Sequence, residues 1–222
     1  MSERKAALLI VLGLAAATTA CGGPEHRTVD QYFNALKADD QQTLTSFALV
    51  GFDKKVDNWR VRGAEPEERS PAKLPDLIKE VGDVEAKLAK NKKDAQTYNL
   101  NNYGDIEKAK ELQKANKPIP GSLSKVAEAW KQFNDTDRGL KKALAEAKAA
   151  AEKERRNVVL SVGDRDDVES LTGVMVTKKL DIELTIGGQV QPYVMRLKKY
   201  ELTGGTGRMM AKWVVQSIEP KG

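Results

Sequence analysis

Two long runs of apolar residues, each spaced alternately three and four apart and separated by a proline-rich break, constrain this chain more than any other feature. In the second run the positions are Leu123, Val126, Trp130, Phe133, Leu140, Leu144, Ala147 and Ala151, with Asp137 filling the one missing place. In the first they are Leu74, Leu77, Val81, Val84, Leu88, Ala95, Tyr98, Ala109 and Leu112, with Asn91, Asn102 and Asp105 as polar breaks. A heptad stripe of this kind specifies a helix that buries one narrow seam against another helix. Pro75 suits a first helical turn, where its missing donor is not needed, and Ser122 behind Gly121 is a candidate N-cap. Between the runs, Lys117-Pro118-Ile119-Pro120-Gly121 cannot continue a helix and makes the reversal. Residues 72–157 therefore read as an antiparallel coiled-coil hairpin, with 99–105, which includes Gly104, as the place where the first arm bends.

That segment also holds the chain's charge imbalance. It carries 19 of the 37 Lys and Arg and 14 of the 32 Asp and Glu, so the whole formal net charge of +5 lies within it. Such a surplus suits anionic lipid headgroups or an acidic partner. On a helical pair it is first of all a solvated face of mixed sign.

The start of the chain has a separate logic. Arg4 and Lys5 precede an apolar run over residues 6–17, and Thr18-Thr19-Ala20 precede Cys21, the only cysteine. A basic stretch, a short apolar stretch and small residues before a cleavage point describe an export signal over 1–20. The apolar run is well short of the ~20 residues a spanning helix needs. Thr18-Thr19-Ala20-Cys21 resembles a bacterial lipobox, departing from it at Thr18, where the pattern usually has Leu. The resemblance implies lipidation of Cys21, with the cysteine as first mature residue. Two or three acyl chains at ~0.8 kcal/mol per buried methylene make a stable anchor where one does not. The expected location is the cell envelope outside the cytoplasm, with the membrane as one partner through the lipid anchor. Gly22 in the second mature position implies the periplasmic face of the outer membrane in a Gram-negative host. Export removes the chain from nucleic acid. Residues 21–27, including His26, read as a tether.

The flanks of the hairpin, 28–71 and 158–222, read as one split domain. Residues 28–47 form a helix (Val29, Tyr32, Phe33 and Leu36 on one face, Thr28 as cap) and a shorter second one after Asp39-Asp40. Trp59 and Val61 fit a short strand, and 62–70 reads as a charged linker. Beyond a short apolar run at 158–162 the period becomes two. Val174, Val176, Leu180, Ile182, Leu184 and Ile186 share a face interrupted by Lys178, while Asp181, Glu183 and Thr185 take the other. Gly187-Gly188 is a two-residue hairpin turn. The inward set of the next strand shifts between Leu197 and Tyr200, which predicts a bulge. A turn at 204–207 and a closing strand with Met209, Ala211, Trp213 and Val215 on one side complete an antiparallel meander. The fold class is α+β: a curved antiparallel sheet covered by N-terminal helices, with the long hairpin inserted.

Val29-Asp30-Gln31-Tyr32-Phe33-Asn34-Ala35-Leu36 at the start and Ala211-Lys212-Trp213-Val214-Val215 at the end resemble the nuclear transport factor 2-like superfamily, over about half of the mature chain. The inserted hairpin departs from that family's compact form. The resemblance implies a curved antiparallel sheet that serves isomerases, dehydratases and noncatalytic binding or scaffolding domains, so it does not fix a function.

The chemistry available is narrow. His26 is the single histidine, so no Ser-His-Asp, Cys-His or histidine metal site is expected in the folded body. Residues 163–167 carry Asp164, Asp166 and Asp167 but lack the spacing of a calcium loop, and 204–207 lacks the Lys-Ser/Thr of a phosphate loop. The superfamily's isomerases use a buried Asp with a tyrosine, for which Asp30, Asp57, Asp181 and Glu201 beside Tyr200 are the candidates. None stands in a motif, and a solvated role is expected for each. No catalytic residue, metal ligand or cofactor is nominated. The expectation is a noncatalytic, lipid-anchored envelope protein that acts as a scaffold through its hairpin on an envelope protein partner. A carrier of an apolar molecule near Trp213 and Tyr193 is the alternative, and a small isomerase or hydrolase comes third. The polar seam breaks leave room for a homodimer.

Overall fold

The computed structural model describes residues 23–204, 207–209 and 211–222. Helices α1 (Pro24–Lys37) and α2 (Gln41–Thr45) lead into strands β1 (Asn58–Ala64) and β2 (Glu68–Pro71). The helical arms α3 (Leu74–Lys114) and α4 (Gly121–Val162) follow, then a 3₁₀ turn at Val168–Ser170. Strands β3 (Thr172–Ile186), β4 (Gln189–Gly204), β5 (Gly207–Arg208) and β6 (Val214–Pro220) complete the chain. The fold is the expected α+β arrangement, with the helical pair inserted between strands of one antiparallel sheet.

The β3–β4 ribbon is the sheet's spine. It pairs without a break from Thr172↔Thr203 to Ile186↔Gln189, across a turn in which Gly187 and Gly188 both take positive φ (57° and 77°). β1 and β2 share the outer edge of β3, and β6 and β5 pair with β4. Residues 62–70 are therefore no linker. β1 runs to Ala64, the Glu65 amide donates to the Lys179 carbonyl (2.9 Å), and β2 pairs with 174–177, so the segment is an interrupted edge strand. Its arginines, glutamates and proline are the composition that protects a sheet edge from further pairing.

The sheet is buried on different faces at its two ends. Val176, Leu180, Ile182 and Leu184 of β3 and Tyr193, Met195 and Leu197 of β4 pack beneath Val29, Tyr32, Phe33, Leu44 and Phe47 of the N-terminal helices. Tyr200 and Leu202 point the other way and pack with Leu74, Val158, Val168 and Leu171 at the base of the arms. The shift between Leu197 and Tyr200 is therefore a change of covered face and not a bulge in β4. The register shift that does occur lies against β6, where Arg196 faces Ser217 and Leu197 faces Val215. The crossing from one face to the other brings backbone close. A Cβ on Gly173 (φ 148°) would stand 2.3 Å from the Glu201 carbonyl oxygen, so only glycine fits there.

Two boundaries also differ from expectation. α1 begins at Pro24 behind Gly23, so Pro24–Arg27 and His26 belong to a helix rather than to a tether. Its early start places Glu25 beside Lys178, the charge that interrupts the apolar face of β3; the two side chains, each 14% exposed, meet at 2.5 Å. Burial opposes ionisation of Glu25, but the hydrogen bond and charge of Lys178 outweigh it and hold the carboxyl below its ordinary range. At the other boundary α4 continues through 158–162 to Val162, and it opens at Gly121 with no side-chain cap from Ser122.

Candidate functional site

The arms have 41 and 42 residues, about 60 Å each at ~1.5 Å per residue. Two features distinguish them: a polar joint at the base and an irregular, partly apolar surface farther out.

The joint arises because the heptad stripe of α4 does not stop at Ala151. Its next positions are Glu154, Val158 and Ser161, all buried together with Asn157. Tyr200 donates its hydroxyl to Glu154 Oε1 at 2.7 Å, and Asn157 Nδ2 donates to Glu154 Oε2 at 3.1 Å. Lys198 lies 3.8 Å from the same carboxylate, with side chains 17% and 11% exposed. Ser161 Oγ accepts from the Tyr200 amide (3.0 Å) and donates to the Lys212 carbonyl (2.9 Å), while the Lys212 amide donates to the Ser161 carbonyl (2.8 Å). One turn of α4 thus satisfies groups from β4 and from the segment before β6. Burial, reinforced by the Glu154 carboxylate, pushes the Tyr200 phenol above its ordinary value, so it remains a neutral donor. Burial pulls Lys198 down, against the opposing pull of Glu154. Through these contacts the carboxylate fastens the hairpin to the sheet.

Farther out, the seam holds Leu88, Ala147 and Ala151 near the base and Ile106, Ala109 and Leu123 near the turn. Asn91 Nδ2 donates across it to the Phe133 carbonyl (3.1 Å), and the Tyr98 and Phe133 rings meet at 5.4 Å. The backbone of α3 leaves helical geometry at Asn102 (φ −126°, ψ 18°), inside the segment expected to bend. At the bend one seam position moves by one residue, so buried Ile106 replaces the expected Asp105, which is exposed, and the expected stripe resumes at Ala109. Leu100 and Tyr103, on either side of the bend, are 74% and 62% exposed. Beyond it the arms part enough to leave an open groove of about 490 Å³ that includes Ile106, Ala109, Trp130 and Lys131. Lys110 lies 5.9 Å over the Trp130 ring.

The carboxylates considered for acid–base work have separate surroundings. Asp30 accepts from Trp59 Nε1 (2.9 Å), Asp57 from the Gly188 amide (3.3 Å), and Asp181 pairs with Lys221 (2.8 Å). Glu201 pairs with Arg69 and Lys199 on one face of the sheet, whereas Tyr200 is buried on the other, so they form no unit. Asp167 is held by Arg165 at 2.8 and 3.0 Å. Among the described residues, no group of three or more His, Cys, Asp or Glu side chains is placed to hold a metal ion. Tyr193 is buried against Phe52, and Trp213 borders a cleft beside α1. Cys21 lies outside the described residues, and no described helix is long and apolar enough to cross a membrane. Glu154, the buried carboxylate of the joint, is not among the residues that the sequence singles out. Its one signal is an ionisable side chain three places beyond Ala151 on the continuing heptad stripe. No family model, curated protein or solved structure matches this chain.

Proposed function

We propose that this is a noncatalytic cell-envelope protein, anchored by lipid on Cys21, whose hairpin presents a binding surface to a protein partner at a distance from its sheet body. The observation that carries this reading is the pairing of a polar fastening at the arm's base with large exposed apolar side chains, Leu100 and Tyr103, at the bend. A fastened arm with an apolar outer surface suits contact with another protein, since exposed apolar groups clustered on a rigid element mark interaction surfaces. The surplus of Lys and Arg on the hairpin suits a partner with an acidic face.

Affinity capture of the full-length chain from detergent extracts of its own envelope tests the reading. A specific partner is expected with the native sequence, with most of it lost in the double variant Leu100→Glu, Tyr103→Glu. Undiminished recovery with that variant moves the contact away from the bend. The anchor is tested separately by incorporation of a clickable palmitate analogue, which Cys21→Ser should abolish.

A further inference from the structure

A second surface lies beside the base of the hairpin, where α1, α2 and the segment before β6 meet. They enclose a cleft of about 300 Å³, with Phe47 and Trp213 among its walls and Arg27, Gln31, Ser46 and Lys212 around it. Among the described residues no carboxylate lines it, whereas three other clefts contain Glu128 and Asp135, Asp39 and Asp53, and Glu152 and Glu169. Arg27 and Lys212 are exposed and have no ion-pair partner among the described residues. Nearby cations are engaged: Lys178 by Glu25, and Lys199 by Glu67 and Glu201. The Lys212 backbone is fixed by its two hydrogen bonds to Ser161, and the Trp213 ring is capped by Lys199 Nζ at 4.5 Å from its centroid. The Thr28 and Ser46 hydroxyls already donate to the Pro24 and Thr43 carbonyls, so the walls offer positive charge, the Gln31 amide donor and an aromatic border, which together suit an anion carried on an apolar body.

We propose that this cleft binds the headgroup of an anionic phospholipid and lays the sheet body against the bilayer. The proposal rests on the lipid-anchor reading for its geometry. Pro24 borders the cleft and Cys21 precedes it by three residues, so an acylated Cys21 would hold the cleft within roughly 11 Å of the membrane surface along the chain. Because Ser161 at the end of α4 clamps Lys212, a headgroup bound there also fixes how the hairpin leaves the membrane.

The full-length chain, reconstituted with excess vesicles of phosphatidylcholine alone or mixed with phosphatidylglycerol, is treated briefly with an amine-acetylating reagent and digested. Labelling of Lys212 is measured against Lys92, an exposed residue of the arm. Phosphatidylglycerol should lower the Lys212 to Lys92 ratio on the order of fivefold, the effect of about one basic side chain at an anionic surface. Arg27→Glu should restore most of the ratio, and Lys117→Glu at the hairpin turn should not. Equal ratios in the two vesicle types overturn the proposal. So does equal protection by inorganic phosphate added to phosphatidylcholine vesicles, which would make the cleft a small-anion site. The same digest reports the state of Cys21. An unmodified thiol contradicts the anchor, while the Lys212 ratio, read with vesicles in excess, still decides the cleft.

Discussion

The two ends of the helical hairpin are built from the same stripe and differ in almost everything else. At the base the seam runs into the sheet, where Leu74, Val158, Tyr200 and Leu202 close around Glu154, Asn157 and Ser161. Past Asn102 one position of the stripe moves from Asp105 to Ile106, the arms leave a groove, and Leu100 and Tyr103 stand in solvent. A coiled-coil seam needs only apolar spacing to form. What fastens it to another element, or leaves part of it free to bind, is the set of residues that break the spacing. Glu154 and Ser161, polar groups inside the stripe at the base, are satisfied by the sheet and the segment before β6; Leu100 and Tyr103, apolar groups outside the stripe at the bend, stay exposed among the described residues.

Breaking the joint should cost most. Glu154→Ala strands Lys198 and removes the acceptor of Tyr200 and Asn157, so urea denaturation should show a loss of about 3 kcal/mol. Glu154→Gln keeps an acceptor and should lose less than half as much. Next comes Ile106→Ala, which removes a fully buried seam residue beside an open groove and should cost about 2 kcal/mol. Amide exchange should then accelerate in the outer arms and remain slow in β3 and β4, because local opening follows local packing.

A smaller, pH-dependent effect belongs to Glu25. Its carboxyl titrates below its ordinary value when folded, so its stabilisation is present above that value and is lost as pH falls through the lowered one. Denaturation curves of the native sequence and Glu25→Gln should therefore be separated near neutral pH and converge in acid. The smallest effect is expected at the outer surface: Leu100→Glu should change stability by no more than about 0.5 kcal/mol, since the side chain is largely solvated. A large loss there would mean that Leu100 packs within the chain, and the contrast between base and bend would fail.

The alternation of threes and fours made the hairpin, its turn and its bend legible in the sequence, because a two-helix seam is a local repeat and needs no knowledge of the rest of the chain. The β3–β4 ribbon was legible for the same reason, with Gly187-Gly188 marking the turn. Whatever depended on a distant partner was not. The edge strand at 62–70 is charged because it has a neighbour on one side only, and that composition equally describes a loop. The change of covered face after Leu197 resembles a bulge until the base of the hairpin is known to lie on the far side. Glu154 reads as an ordinary solvated helix residue until Tyr200, 46 residues away, is found beside it. Lys178 likewise looked like a break in an apolar face, and its reason is Glu25, 153 residues earlier.

The central claim is that the hairpin is a stiff arm mounted on the sheet by this joint. Spin labels introduced by L100C and V190C, at exposed positions on the arm and at the β3–β4 turn, with Cys21 replaced by Ser, measure it directly by pulsed dipolar spectroscopy. A single narrow distance distribution is expected, broadening markedly when Glu154→Ala is added. A broad distribution before that substitution, or a narrow one unchanged after it, would contradict the claim.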